Sequence, residues 1–168
     1  MRQSGLTLIE VLVVVAILGI LLAIGTIDFR TWAIRYNVER QIKELQSDLM
    51  TARVQAKNRN RAHFVVLGSN QYVITDDTDD NGSNDATDTV LVSRVGVRNA
   101  MQWSNAGETQ FVFSKRGLSE FAGADKTICV FSTAGPSYDC LVITPSRINA
   151  GKIINQAGGC TSANCGEK

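Results

Sequence analysis

The chain has 168 residues, with 17 Lys and Arg against 16 Asp and Glu, a formal net charge of +1 and four cysteines. A chain so close to neutral carries no global field that would draw in nucleic acid or acidic substrates. Setting aside an apolar leading segment leaves enough residues for one modest globular domain.

In that leading segment, residues 6–27 hold one charged side chain, Glu10, and residues 11–27 hold none. A membrane-spanning helix needs about 20 largely apolar residues, so the run is long enough to span. Arg2 is the one cation before it, which favours a cytoplasmic N-terminus. A carboxylate this deep in an apolar helix is costly unless a partner neutralises it. An ordinary cleaved signal peptide fits poorly, because the run is too long and no small-x-small site closes it.

Residues 28 to about 59 contain neither Gly nor Pro. Val38, Ile42, Leu45, Leu49, Ala52 and Ala56 follow the spacing of an amphipathic helical stripe. One helix is therefore predicted from residue 6 to about 59, its second half packed on a sheet. The prolines, Pro136 and Pro145, both lie beyond it, so little kinking is expected. Arg53, Lys57, Arg59 and Arg61 gather near its C-terminus, where the macrodipole favours cations.

Past residue 62 the period changes. Phe64–Leu67 and Tyr72–Thr75 read as a hairpin around Gly68-Ser-Asn-Gln71. Thr89–Val92, Met101–Trp103, Thr109–Ser114, Thr127–Phe131, Leu141–Thr144 and Lys152–Ile154 read as further strands, punctuated by glycines. Ala157–Lys168 reads as loop. The fold class is α+β, a long N-terminal helix packed on an antiparallel β domain. His63, just after the basic cluster, reads as a surface or hairpin-edge residue.

Residues 77–88, Asp-Thr-Asp-Asp-Asn-Gly-Ser-Asn-Asp-Ala-Thr-Asp, fit a calcium-loop template. Ca²⁺ takes six to eight oxygens, alternate residues of a turning loop point inward, and the glycine permits the bend. The ligand set would be Asp77, Asp79, Asn81, Asp85 and Asp88, with Ser83 through its carbonyl. Asp88 stands where such loops end in Glu, and the flanking segments are strands rather than helices. The competing reading is an acidic surface loop, since Asp, Asn and Gly are turn formers.

Four cysteines, Cys129, Cys140, Cys160 and Cys165, suggest two disulfides in an oxidising compartment. Three connectivities exist. The sequence leaves the choice among them open; a clip from Cys129 to Cys140 across a hairpin, with Cys160–Cys165 closing a small loop, fits the spacing. Zinc is disfavoured, because C-x-x-C pairs are lacking and His63 is the single histidine. No nucleophile elbow, P-loop or dinucleotide fingerprint occurs, so the chain reads as a structural protein and not an enzyme.

Gly5-Leu6-Thr7-Leu8-Ile9-Glu10-Val11, followed by the uninterrupted apolar run, resembles the type III signal of type IV pilins and type II secretion pseudopilins. The resemblance implies a leader of residues 1–5, cleavage after Gly5 by a prepilin peptidase, and methylation of Leu6, which stands where Phe is usual. It also implies that Glu10 pairs with the Leu6 amine of a neighbouring subunit, so that two opposite charges are buried together. Residues 6–27 would then sit in the inner membrane or a filament core. Residues 28–168 would form a periplasmic pilin-like domain, and the partners would be other pilin or pseudopilin subunits.

Thr127-Ile-Cys-Val-Phe131 and Leu141-Val-Ile-Thr-Pro-Ser146-Arg147-Ile-Asn149 resemble the end of the GspH/FimT family, which includes FimU-type minor pilins and a minor pseudopilin. Members often close on Gly-Arg-x-Arg. Here Ser146 replaces the glycine and Asn149 the second arginine, leaving Arg147, with Lys152 following. Some members bind DNA through this region, and losing a cation removes a phosphate contact. The resemblance thus implies a minor pilin that helps initiate and cap a type IV pilus. The alternatives are a minor pseudopilin of type II secretion, or a pilus-borne subunit that binds DNA through Arg147 and Lys152.

Overall fold

With no proline to interrupt it, the N-terminal third forms one helix, α1 (Leu8–Arg59). The computed structural model describes residues 7–123 and 125–167, the side chains of 23–28 and of Glu167 excepted. The chain divides into two compact units, the first ending at Ile34 and the second starting at Arg35. In the first, the apolar side chains from Leu8 to Leu22 are exposed, and Phe29 and Trp32 stack with ring centroids 5.9 Å apart. No helix of the described residues is long and apolar enough to cross a membrane. Of the expected span of 6–27, residue 6 and the side chains of 23–27 lie outside the described set.

In the second unit the stripe predicted from spacing is the stripe buried: Val38, Ile42, Leu45, Leu49, Ala52 and Ala56 are at most 2% exposed. Burying a large aliphatic side chain contributes about 1.5–3 kcal/mol, which holds this part of α1 to the domain. The helix stops at Asn60, whose positive φ of 54° reverses the chain, and the Arg61 N–H returns to the Ala56 carbonyl at 3.1 Å. That is a Schellman closure with Asn in the left-handed position.

Among the described residues ten strands follow: β1 (His63–Gly68), β2 (Gln71–Asp76), β3 (Thr89–Val95), β4 (Gln102–Trp103), β5 (Gln110–Phe113), β6 (Ser119–Glu120), β7 (Lys126–Cys129), β8 (Cys140–Ile143), β9 (Ile148–Ile153) and β10 (Cys165–Glu167). They form two five-stranded antiparallel sheets, ordered β3-β2-β1-β5-β6 and β10-β9-β8-β7-β4. Tyr72, Ile74, Phe111 and Phe113 from the first sheet and Ile128, Leu141 and Ile143 from the second share one core with the helix stripe.

The structure corrects the sequence reading in three places. The tail is not simply loop: Cys165–Glu167 pairs with Gly151–Ile153 as an edge strand. A Cβ on Gly151 would lie 2.5 Å from the Gly166 carbonyl oxygen, so the bare glycine admits that strand. The disulfides join Cys129 to Cys160 and Cys140 to Cys165. Cys129 and Cys140 do face each other across β7 and β8, as the hairpin reading required, but each is taken by the tail. His63 is fully buried at the start of β1, opposite Asp76, because its strand position faces inward.

Candidate functional site

Three regions were singled out by sequence. The first is the start of α1. Gly5 and Leu6 lie outside the described residues. Glu10 is exposed in the first turn, and its N–H reaches Thr7 Oγ1 at 3.4 Å and the Thr7 carbonyl at 3.1 Å. Thr7-Leu-Ile-Glu10 is thus a Thr-x-x-Glu capping sequence, a signal available in the sequence and missed there. An acid in the first turn also complements the positive end of the helix dipole.

The second region is the β2–β3 connection. Carboxylate oxygens of Asp77, Asp79 and Asp88 come within 4.8 Å of one another, a set that could hold a metal ion. Asp77 is buried, and its oxygens accept the N–H groups of Asn81 at 3.1 Å and Gly82 at 3.0 Å. Asp88 accepts from Thr78 N and Asp85 N, both at 3.1 Å. Gly82 takes a φ of 76°, the bend the template demands. Of the other three predicted ligands, Asp85 stands outside this carboxylate group. The Asn81 amide bridges Asp79 and Asp85, and Ser83 N donates to Asn81 Oδ1. Asp85 turns to Thr87, whose hydroxyl and N–H hold its carboxyl below the usual carboxylate range, with Asn81 helping. Hard carboxylate oxygens suit Ca²⁺ or Mg²⁺ rather than a soft metal.

Beside this loop, an exposed Arg59 meets the buried Asp76 and His63, a polar set that sequence reasoning did not find. Arg59 Nη1 donates to Asp76 Oδ2 at 2.7 Å, and His63 Nδ1 lies 3.7 Å from the other Asp76 oxygen and 2.9 Å from the Ala62 carbonyl. The basic cluster near the helix end is thus partly structural. Arg53 donates to the Gly117 and Ser146 carbonyls, both at 2.6 Å.

The third region is the β8–β9 turn. Arg147 is exposed there, and its backbone is locked to Thr144 through N–H to Oγ1 at 3.0 Å. Lys152 lies in β9, where its charge pulls against the burial that pushes the Asp139 carboxyl up from its ordinary value. Asp139 is fully buried, with Oδ1 accepting the Ile153 N–H at 2.5 Å. Lys126 is also fully buried, reaching the Glu108 carbonyl at 2.5 Å and Glu108 Oε2 at 3.4 Å. Neither buried charge carried a sequence signal: Lys126 opens the short strand β7 and Asp139 directly precedes β8, so no periodic pattern marks either as inward-facing.

Residues 41–146 match the family described as type II transport protein GspH, and residues 1–26 match the prokaryotic N-terminal methylation motif. No curated protein and no solved structure matches the chain.

Proposed function

The chain belongs to the GspH family of type II transport proteins, and on that premise we propose that it is a minor pilin helping to initiate and cap a type IV pilus. The observation carrying this is the pairing of an N-methylation motif with an apolar helix whose side chains, from Leu8 to Leu22, no other part of the described structure covers. In a filament, neighbouring helices supply that cover. Glu10 finds its counter-charge in the methylated Leu6 amine of a neighbour, once the peptidase has cut after Gly5. The role is structural, and the peptidase and methylase act on the chain from outside. The family is anchored through this helix, and the proposal puts the rest of the chain in the periplasm.

The test is Glu10→Ala in the full chain. The variant is expected to insert and be cleaved, and to be depleted about tenfold or more from sheared filaments, as befits a buried charge left unpaired. Normal incorporation on immunoblots of the filament fraction would sink the pairing. The family, type II transport protein GspH, favours a second reading, a minor pseudopilin of a type II secretion system. Deleting the gene separates the two: lost pili support the first, lost secretion of folded proteins the second. DNA capture is the weakest reading, since Arg147 lacks the second arginine and Lys152 is answered by Asp139.

We further propose that the 77–88 loop takes Ca²⁺, with Asp77, Asp79 and Asp88 as its carboxylates, supported by their convergence. On binding, Asn81, Ser83 and Asp85 would turn inward to complete the oxygen set. A ligand that binds only the folded chain stabilises it by about 2.7 kcal/mol at a hundredfold excess over Kd. Thermal melting of the full chain in detergent should therefore rise with calcium over chelator, and Asp77→Asn should abolish the shift. An unchanged melting point at millimolar calcium would leave an acidic surface loop.

A further inference from the structure

A groove of about 470 Å³ runs between α1 and strand β3, its walls including Arg40, Glu44, Arg94, Val95 and Arg98. All of it lies in the unit that begins at Arg35. One wall is an open sheet edge. β3 ends its sheet and pairs only with β2, so every second backbone N–H and C=O along it lacks a strand partner. Along that edge Val90 is 56% and Val95 74% exposed. Exposed β-branched residues on an unpaired edge are what strand addition uses.

The charges of the groove indicate what would be added. Arg94 already binds carboxylates there, through Nε to Asp48 Oδ2 at 3.1 Å and Nη2 to Glu44 Oε1 at 3.3 Å. Asp48 also accepts the Tyr72 hydroxyl at 2.8 Å, so this guanidinium is committed. Arg40 and Arg98 are exposed, and neither makes an ion pair among the described residues. Two spare guanidiniums beside an open strand edge complement an extended segment that carries carboxylates.

We infer that this groove is the seat of a neighbouring filament subunit, which adds an acidic, extended segment to β3 and presents its carboxylates to Arg40 and Arg98. The inference rests on the filament-subunit reading and names the contact face for it. A segment added to one edge makes a heterologous contact, the kind that propagates along a helical assembly instead of closing on itself.

The test places the photocrosslinker p-benzoylphenylalanine at Val95 of the full chain, in cells that assemble the filament, with a parallel probe at Val14 of the apolar helix. The expected Val95 adduct is an acidic peptide of another pilin-type subunit, identified by mass spectrometry. Its yield should fall about tenfold in an Arg40→Glu, Arg98→Glu variant, since like charges facing each other across a contact are strongly disfavoured. The Val14 adduct should persist in that variant, and an Arg40→Lys, Arg98→Lys variant should retain most of the Val95 yield. A Val95 adduct with nucleic acid, with another copy of this chain, or insensitive to charge reversal overturns the inference. So does a silent Val95 probe beside a productive Val14 probe, which leaves the filament reading standing. Silence at both positions overturns both.

Discussion

Asp139 shows what a single buried carboxylate does to stability. Its side chain fixes the Ile153 N–H, yet burial raises its affinity for a proton above the ordinary value. A raised folded-state value means that the folded chain binds the proton more tightly than the unfolded chain does. Its contribution is therefore fully present below the ordinary Asp value, about 3.9, and is lost as pH rises through the folded value. Asp139→Asn keeps an acceptor for Ile153 and removes the charge. Its melting temperature should accordingly gain on that of the unsubstituted chain as pH rises above about 4. Equal pH profiles for the two would show that Lys152 fully offsets the burial. Little of this was legible in advance. A sequence reveals that Asp139 is acidic, but only the placement of the β8–β9 pair reveals that it is buried.

Among the elements, the helix was the most legible, because its six stripe residues repeat at a spacing that only a helix brings to one face. β9 was read only in its last two residues, but β1 and β2 were legible as β-rich runs around a turn, differing from their predicted bounds by one residue at each end. Ser119–Glu120 and Cys165–Glu167 were not, since a strand of two or three residues has no period to display. Of the acidic loop, the residue types and the Gly82 bend were readable, but not which side chains bond their neighbours instead of converging. The Arg53 contacts were equally hidden, because a guanidinium seeking carbonyls leaves no pattern in the carbonyl-bearing residues. That side chain ties α1 to the β5–β6 turn and to the β8–β9 turn. Gly117 lies against it with a φ of 73°, and a Cβ there would come 3.3 Å from the Arg53 carbonyl oxygen. Hydrogen bonds from charged groups contribute about 1.5–3 kcal/mol each, less where water reaches them. Arg53→Ala should cost about 1–3 kcal/mol in denaturant unfolding, and Lys57→Ala, on the exposed surface, under about 0.5 kcal/mol. Equal losses would show that the two carbonyl contacts contribute nothing.

For the whole molecule, the two disulfides matter most through their order along the chain. The bonded pairs are 129 with 160 and 140 with 165, so the two loops interleave. On the proposed periplasmic placement, a chain threaded across the membrane from its N-terminal side delivers Cys129 and Cys140 first, while both native partners are still behind the membrane. Those two cysteines occupy directly opposed positions on β7 and β8, so the earliest thiols to meet an oxidase are a mismatched couple already held face to face. Thiols oxidised in order of arrival would be trapped there, and releasing them requires exchange through a mixed disulfide. Cells lacking a disulfide isomerase should therefore accumulate a Cys129–Cys140 species, visible as a linked peptide pair in non-reducing digests. Equal native pairing with and without the isomerase would mean that the tail docks before oxidation begins. Accumulation of the mispaired species would make maturation of this subunit depend on proofreading of its sulfur chemistry outside the cytoplasm, a step separate from the cleavage and methylation proposed at its other end.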